Sequence, residues 1–190
     1  MAMRICRALP ALTVCFTLLL AGAQTPSVPR HSPEFAIQLT NGKQVLLSQF
    51  RGKAVALVFI LTHCPHCQQT VQILAKLQND YAPRGFQVLS TAIEDMASMT
   101  VPDFIKRFNP PFPVGYNERT TVQEYLQHPA MFKMMMPQLV LIDRQGTIQA
   151  QFAGDNPIFS NNQEQNLREK IEPLLKETSS VPQRSTRARK

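Results

Sequence analysis

The chain has 190 residues with 44% hydrophobic and 17% charged side chains, enough for one domain with a buried core and too little for two ordinary ones. Seven glycines, with neither a P-loop nor a GxGxxG run among them, argue against phosphate cradling, and no apolar stretch reaches the roughly 20 residues of a spanning helix. The net charge of +7 is modest and is partly set by the two chain ends.

Residues 1–23 read as a secretory signal peptide. Arg4 and Arg7 form a positive start, residues 9–20 are apolar apart from Thr13 and Thr17, and Ala21-Gly22-Ala23 offers a small-x-small cleavage signal. Cleavage removes Cys6 and Cys15, leaving Cys64 and Cys67 as a lone pair in an oxidising compartment, either periplasmic or extracellular. Residues 24–33, with three prolines, are expected to be a linker. Residues 178–190, rich in Ser, Thr and basic side chains, are expected to be a disordered tail. Without interleaved aromatics, that basic tail gives no case for nucleic-acid binding.

Between these ends lies one domain, residues 34–177. Phe35, Ile37 and Leu39 alternate with polar residues, Asn41-Gly42 turns the chain, and Val45 and Leu47 continue the pattern, which predicts a β-hairpin. Residues 54–61 are continuously apolar and predict a strand buried on both faces. Helical spacing of Val71, Leu74, Ala75 and Gln78 predicts a helix over residues 64–81, with Pro65 in its first turn. Residues 86–92 form a second apolar strand. Residues 101–108 predict a short helix with Thr100 as N-cap and Pro102 in its first turn. The prolines of residues 109–114 impose extended backbone, and residues 121–127 predict another short helix. Residues 139–143 and 147–153 predict a second hairpin around Arg144-Gln145-Gly146. A closing helix follows over residues 163–176, which Pro173 is expected to kink or shorten. The order specifies an α/β fold, a mixed central sheet flanked by helices with an N-terminal β-hairpin extension.

Cys64-Pro65-His66-Cys67 falls between the buried strand and the long helix. A cysteine at a helix N-terminus has its thiolate stabilised by unpaired N–H groups and the helix dipole, and a second cysteine one turn deeper can resolve a mixed disulfide. His66 is placed to tune Cys64 further by charge or hydrogen bonding. A purely structural bridge over so short a loop contributes little chain-entropy stabilisation.

The stretch FILTHCPHC, residues 59–67, resembles the active site of the thioredoxin superfamily, and the resemblance extends over residues 35–175. FAIQLTNGKQVLLSQFRGKAVALVF and MPQLVLIDRQGTIQAQFAG are similar to the exported TlpA-like, or AhpC/TSA-type, thioredoxin-fold proteins, while CPHC itself is similar to the oxidase DsbA. The resemblance implies a thioredoxin fold and thiol–disulfide exchange, with Cys64 as nucleophile and Cys67 as resolving thiol, forming a disulfide in the oxidised state. It further implies a cis Pro137 beside the pair, with Met136 presenting its backbone to a bound peptide and Pro65 at the same groove. No cofactor is implied. The partners implied are protein or peptide thiols and a redox partner such as a membrane electron donor or oxidant.

The chain departs from the family at three places. His63 replaces the Trp before the first cysteine, Val58 replaces the strand's buried acidic group, and the Glu and Pro that follow the CxxC in TlpA-like reductases are absent from residues 68–72. A peroxidase pattern, TxxC, is missed by one position, since Thr62 gives TxC. Two competing classes remain: a redox-inactive binding domain, and a copper(I) chaperone. Thr62-His63-Cys64-Pro65 resembles the THCP opening of the copper-delivering Sco proteins, and Met131, Met134, Met135 and Met136 are soft donors. The CxxC spacing, shorter than the CxxxC of Sco proteins, favours exchange chemistry, as does the inability of three adjacent methionines to face one ion.

Overall fold

A computed structural model describes residues 27–176. The expected signal peptide and basic tail lie outside the described residues.

One eight-stranded mixed sheet carries the domain. Its strands are β1 (Arg30–His31), β2 (Ala36–Gln38), β3 (Gln44–Leu46), β4 (Ala54–Ile60), β5 (Phe86–Ala92), β6 (Val114–Tyr116), β7 (Gln138–Ile142) and β8 (Thr147–Phe152), in spatial order β1-β8-β7-β4-β5-β6-β2-β3. The helices are α1 (Pro65–Tyr81), α2 (Ala97–Phe108), α3 (Arg119–Leu126) and α4 (Gln163–Lys176). β4 runs parallel to β5 and antiparallel to β7, and β5 runs parallel to β6. The β4–α1–β5 crossover therefore places the start of α1 at the carboxyl end of a central strand.

Every residue of β4 is buried, and its period of two divides the core. Ala54, Ala56, Val58 and Ile60 pack with Val71, Leu74 and Leu77 of α1, Leu167 and Ile171 of α4, and Val101 and Phe104 of α2. Val55, Leu57 and Phe59 face the other way, onto Phe35, Ile37, Val122, Tyr125 and Leu126. Phe35, Phe59 and Tyr125 form an aromatic group with ring centroids 4.8–5.9 Å apart. A buried strand with two occupied faces needs no polar alternation, which is why its sequence reads as one apolar run.

The expected hairpin is β2–β3, with Gly42 at φ 78° in its turn and the Lys43 N–H donating to Asn41 Oδ1 at 3.0 Å. β7–β8 and α4 also stand where the sequence places them. Four expectations change. The segment read as a linker contributes β1, which pairs with β8. The stretch read as extended over residues 109–114 opens with Asn109 in a left-handed backbone (φ 42°) and reaches strand β6 at Val114. Helix α2 begins at Ala97 rather than after Thr100, so Pro102 lies in its second turn, and the Thr100 hydroxyl donates to Glu94 instead of capping. Helix α4 is not shortened at Pro173 and continues to Lys176, with Leu174 and Leu175 buried in its last turn.

Helices α1 and α4 are tied together beside the site. Gln163 donates to Thr70 Oγ1 at 2.7 Å in a buried contact. Arg168 bridges Asp80 and Glu164 at 2.6 and 2.8 Å.

Candidate active site

The chain leaves β4 at Ile60 and enters α1 at Pro65 through a turn that is built by local hydrogen bonds. The Cys64 N–H donates to the Leu61 carbonyl at 3.1 Å, and the Cys64 carbonyl accepts from the Gln68 N–H at 3.0 Å. Cys64 is thus the N-cap of α1, with extended backbone (φ −82°, ψ 120°) and Pro65 following in the first turn. No acidic residue stands in the first turn of α1 to oppose a thiolate.

The two cysteines differ in access. Cys64 is half-buried, whereas Cys67 is 0% exposed and packs with Val58, Ile60 and Val71. Burial pushes the Cys67 thiol far above its ordinary value. The Leu61 N–H, 3.5 Å from its sulfur, works against that rise, while a hydrogen bond with Cys64 and the charges of Cys64 and Glu94 reinforce it. Cys67 is therefore held as a thiol at neutral pH, the state expected of a group that acts second. Both cysteines are free.

Met136–Pro137 is a cis peptide bond, as the resemblance implies. Pro137 is buried and Met136 half-buried, and Met136 packs against both halves of the core, including the one that holds the cysteines. Two residues outside the sequence reading position this loop. The Gly154 N–H donates to the Met135 carbonyl at 3.0 Å, and a Cβ at Gly154 would stand 2.4 Å from the Met136 carbonyl carbon and oxygen. Only glycine permits that approach. Gln138 is buried and donates to the same Met135 carbonyl at 2.6 Å.

Pro65 and His66 are exposed on the first turn of α1. His66 lines a wide cleft towards Phe159 and the start of α4, together with Gln69, Gln72 and Lys76. His63 lines a separate hollow with Thr62, Met99, Asp103 and Arg107. The methionines do not form one patch: Met131 and Met135 are exposed, while Met134 is buried on the Phe59 side of the sheet. Among the described residues, no three His, Cys, Asp or Glu side chains cluster to hold a metal ion.

Glu94 is the other residue that the sequence reading passes over. It lies just after β5, and its Oε1 accepts from the Thr62 N–H at 3.0 Å, from the Thr62 hydroxyl, and from the Thr100 hydroxyl at 2.9 Å. An acidic residue in a loop carries no local signature, and only the fold brings it to the strand-to-helix turn.

This arrangement has known counterparts. The Redoxin family matches residues 26–169. The chain belongs to the Redoxin family. Similar proteins include the thiol-disulfide oxidoreductase ResA of a Bacillus cereus strain, 25% identical over 146 residues that span 75% of this chain and 80% of that protein. ResA of Bacillus subtilis (strain 168) is 25% identical over 134 residues, 70% of this chain and 71% of that protein. In fold, the chain is similar to a thiol:disulfide interchange protein of the thioredoxin family from Chlorobium tepidum TLS, with a TM-score of 0.65 at 19% identity over 79% of this chain and 99% of that one. This Redoxin chain is therefore a thioredoxin-fold protein of the TlpA-like, AhpC/TSA type, and an oxidoreductase.

Proposed function

We propose that the protein is an exported thiol–disulfide oxidoreductase that exchanges disulfides with protein or peptide thiols through Cys64 and Cys67. The observation that carries this reading is the asymmetry of the pair: a half-buried sulfur at the α1 N-cap and a fully buried one beneath it, beside the cis Met136–Pro137 bond. In the direction that reduces a partner, the Cys64 thiolate attacks a partner disulfide and expels one partner thiolate, forming a mixed disulfide. Cys67 then attacks Cys64 Sγ, the mixed bond breaks, and the second partner sulfur leaves as a thiolate while the Cys64–Cys67 disulfide forms. Two electrons pass to the partner, and the reverse sequence oxidises it. A redox partner returns the pair to its starting state.

The Met136 backbone, held by Gly154 and Gln138, supplies the surface on which an extended partner segment docks next to Cys64, and Pro65 flanks it. Relatives that bear the name thiol-disulfide oxidoreductase support the same chemistry. Export rests on the pattern of Arg4, Arg7, residues 9–20 and Ala21-Gly22-Ala23.

The test is exchange with a disulfide-bonded peptide. The reduced protein reduces it, the C64S variant does not, and C67S accumulates a covalent adduct with the peptide at Cys64. Exchange retained in C64S overturns the reading. A protein recovered outside the cytoplasm that begins at Gln24 supports export, and one retaining Met1 in the cytoplasm contradicts it.

A further inference from the structure

Two consecutive peptide N–H groups at the end of β4 hold the two acidic groups of the site. The Leu61 N–H donates to Cys67 Sγ at 3.5 Å, and the Thr62 N–H donates to Glu94 Oε1 at 3.0 Å. The hydroxyls of Thr62 and Thr100 also bind Oε1, so the carboxylate is fixed from the turn and from α2. Its other oxygen, Oε2, is shielded from solvent and has no hydrogen-bond partner among the described residues. A solvent-shielded carboxylate oxygen with no donor is costly, and its lone pairs are unoccupied. Meanwhile β4 carries Val58, an apolar side chain, where it faces the cysteines.

From this geometry we infer that Glu94 accepts the Cys67 proton, directly or through one water molecule, as Cys67 attacks the mixed disulfide. The inference rests on the exchange reading above. In the step, the S–H bond of Cys67 breaks and its proton goes to Glu94 Oε2. The sulfur's electron pair forms the bond to Cys64 Sγ, and the partner sulfur departs with the electrons of the mixed disulfide. In the reverse step, Glu94 returns the proton to Cys67 as it leaves.

The charge of Glu94 alone acts in the opposite sense. A negative carboxylate near Cys67 raises its thiol pKa, so removing that charge should increase the thiolate fraction and hasten attack. Electrostatics and proton transfer therefore predict opposite signs. The other ionisable groups around this corner are Cys64 of α1, His63 of the turn, Asp95 beside Glu94, and Asp103 and Arg107 of α2. All of them are retained in an E94Q variant, so the ratio of wild-type to variant rate isolates Glu94.

The experiment follows reduced protein mixed with glutathione disulfide, with acid quenching and mass spectrometry to resolve two steps: formation of the Cys64–glutathione adduct, and its loss as the Cys64–Cys67 disulfide forms. E94Q, which keeps a carbonyl oxygen for Thr62, should leave the first step unchanged at neutral pH. It should slow the second on the order of 10²-fold, and the deficit should shrink as hydroxide replaces the base at alkaline pH. T100V, which loosens Glu94 without removing it, should show a smaller loss with the same pH signature, and serves if E94Q does not fold. Equal or faster second steps in both variants, or losses that do not change with pH, overturn the role of Glu94. A wild-type protein that never forms the glutathione adduct overturns the exchange reading itself, and does so before Glu94 is varied.

Discussion

Two short segments meet at the active site, and they are held in different ways. The turn over residues 61–67 is organised by its own neighbours: Leu61 caps the Cys64 N–H and binds the Cys67 sulfur, and Cys64 starts α1. The loop over residues 135–138 is held by groups distant in sequence, with Gly154 pressed against the Met136 backbone and bonded to Met135. The contrast divides the chemistry. Local backbone places the two sulfurs, with Glu94 reaching the turn from beyond β5, while long-range packing sets the surface that receives a partner.

The largest expected effect falls on the turn. C64S should abolish exchange while leaving the thermal transition near that of the wild type, as read by peptide-disulfide reduction and circular dichroism. Next is the platform beneath both segments. Leu57 is fully buried on the face away from the cysteines, and L57A should cost about 2–5 kcal/mol in denaturant unfolding with the potential of the pair unchanged. A changed potential would show that the turn is not as self-contained as its hydrogen bonds indicate.

The loop is tested by G154A, which forces a Cβ into the Met136 backbone. It should cost about 1–3 kcal/mol and raise KM for a peptide disulfide while leaving Cys64 reactive towards a small disulfide. G115A is the control. A Cβ there would stand 2.2 Å from the Gln38 carbonyl oxygen at the β6–β2 seam, so it should lower stability with no change in KM.

A smaller effect concerns pH. Cys67 has a raised folded-state pKa, so its contribution is fully present below the unfolded thiol's pKa of about 8.5. Above that, the unfolded chain ionises first, and stability falls as pH rises. Tyr125, pushed up to about 12 by burial, adds a further loss at higher pH. Replacing Cys67 with Ala should flatten the first part of this decline in denaturant melts between about pH 8.5 and 10. An unchanged slope would place the alkaline sensitivity elsewhere.

The same division explains what can be read from the sequence. Strands β4 and β5, the two hairpins and helices α1 and α4 follow from apolar periodicity and turn residues, and the cysteine pair follows from its place between strand and helix. The cis Pro137 is reached through family resemblance, not through composition. Residues that act across the fold leave no such trace. Glu94 and Gln138 are ordinary polar residues until β5 and β7 bring them to the site, and Gly154 is one glycine in a loop. The start of α2 escapes the sequence because Met96 adopts a left-handed backbone (φ 59°) that no local signal marks, while Thr100 and Pro102 imitate a helix start further along the chain.

Whether Cys64 and Cys67 form one redox couple is decided by titrating the protein in glutathione redox buffers and counting the Cys64–Cys67 disulfide by mass after thiol blocking. The wild type should show one two-electron transition, and C64S and C67S none. Failure of the wild type to form the internal disulfide at any ratio from fully reducing to fully oxidising would contradict the redox role of the pair.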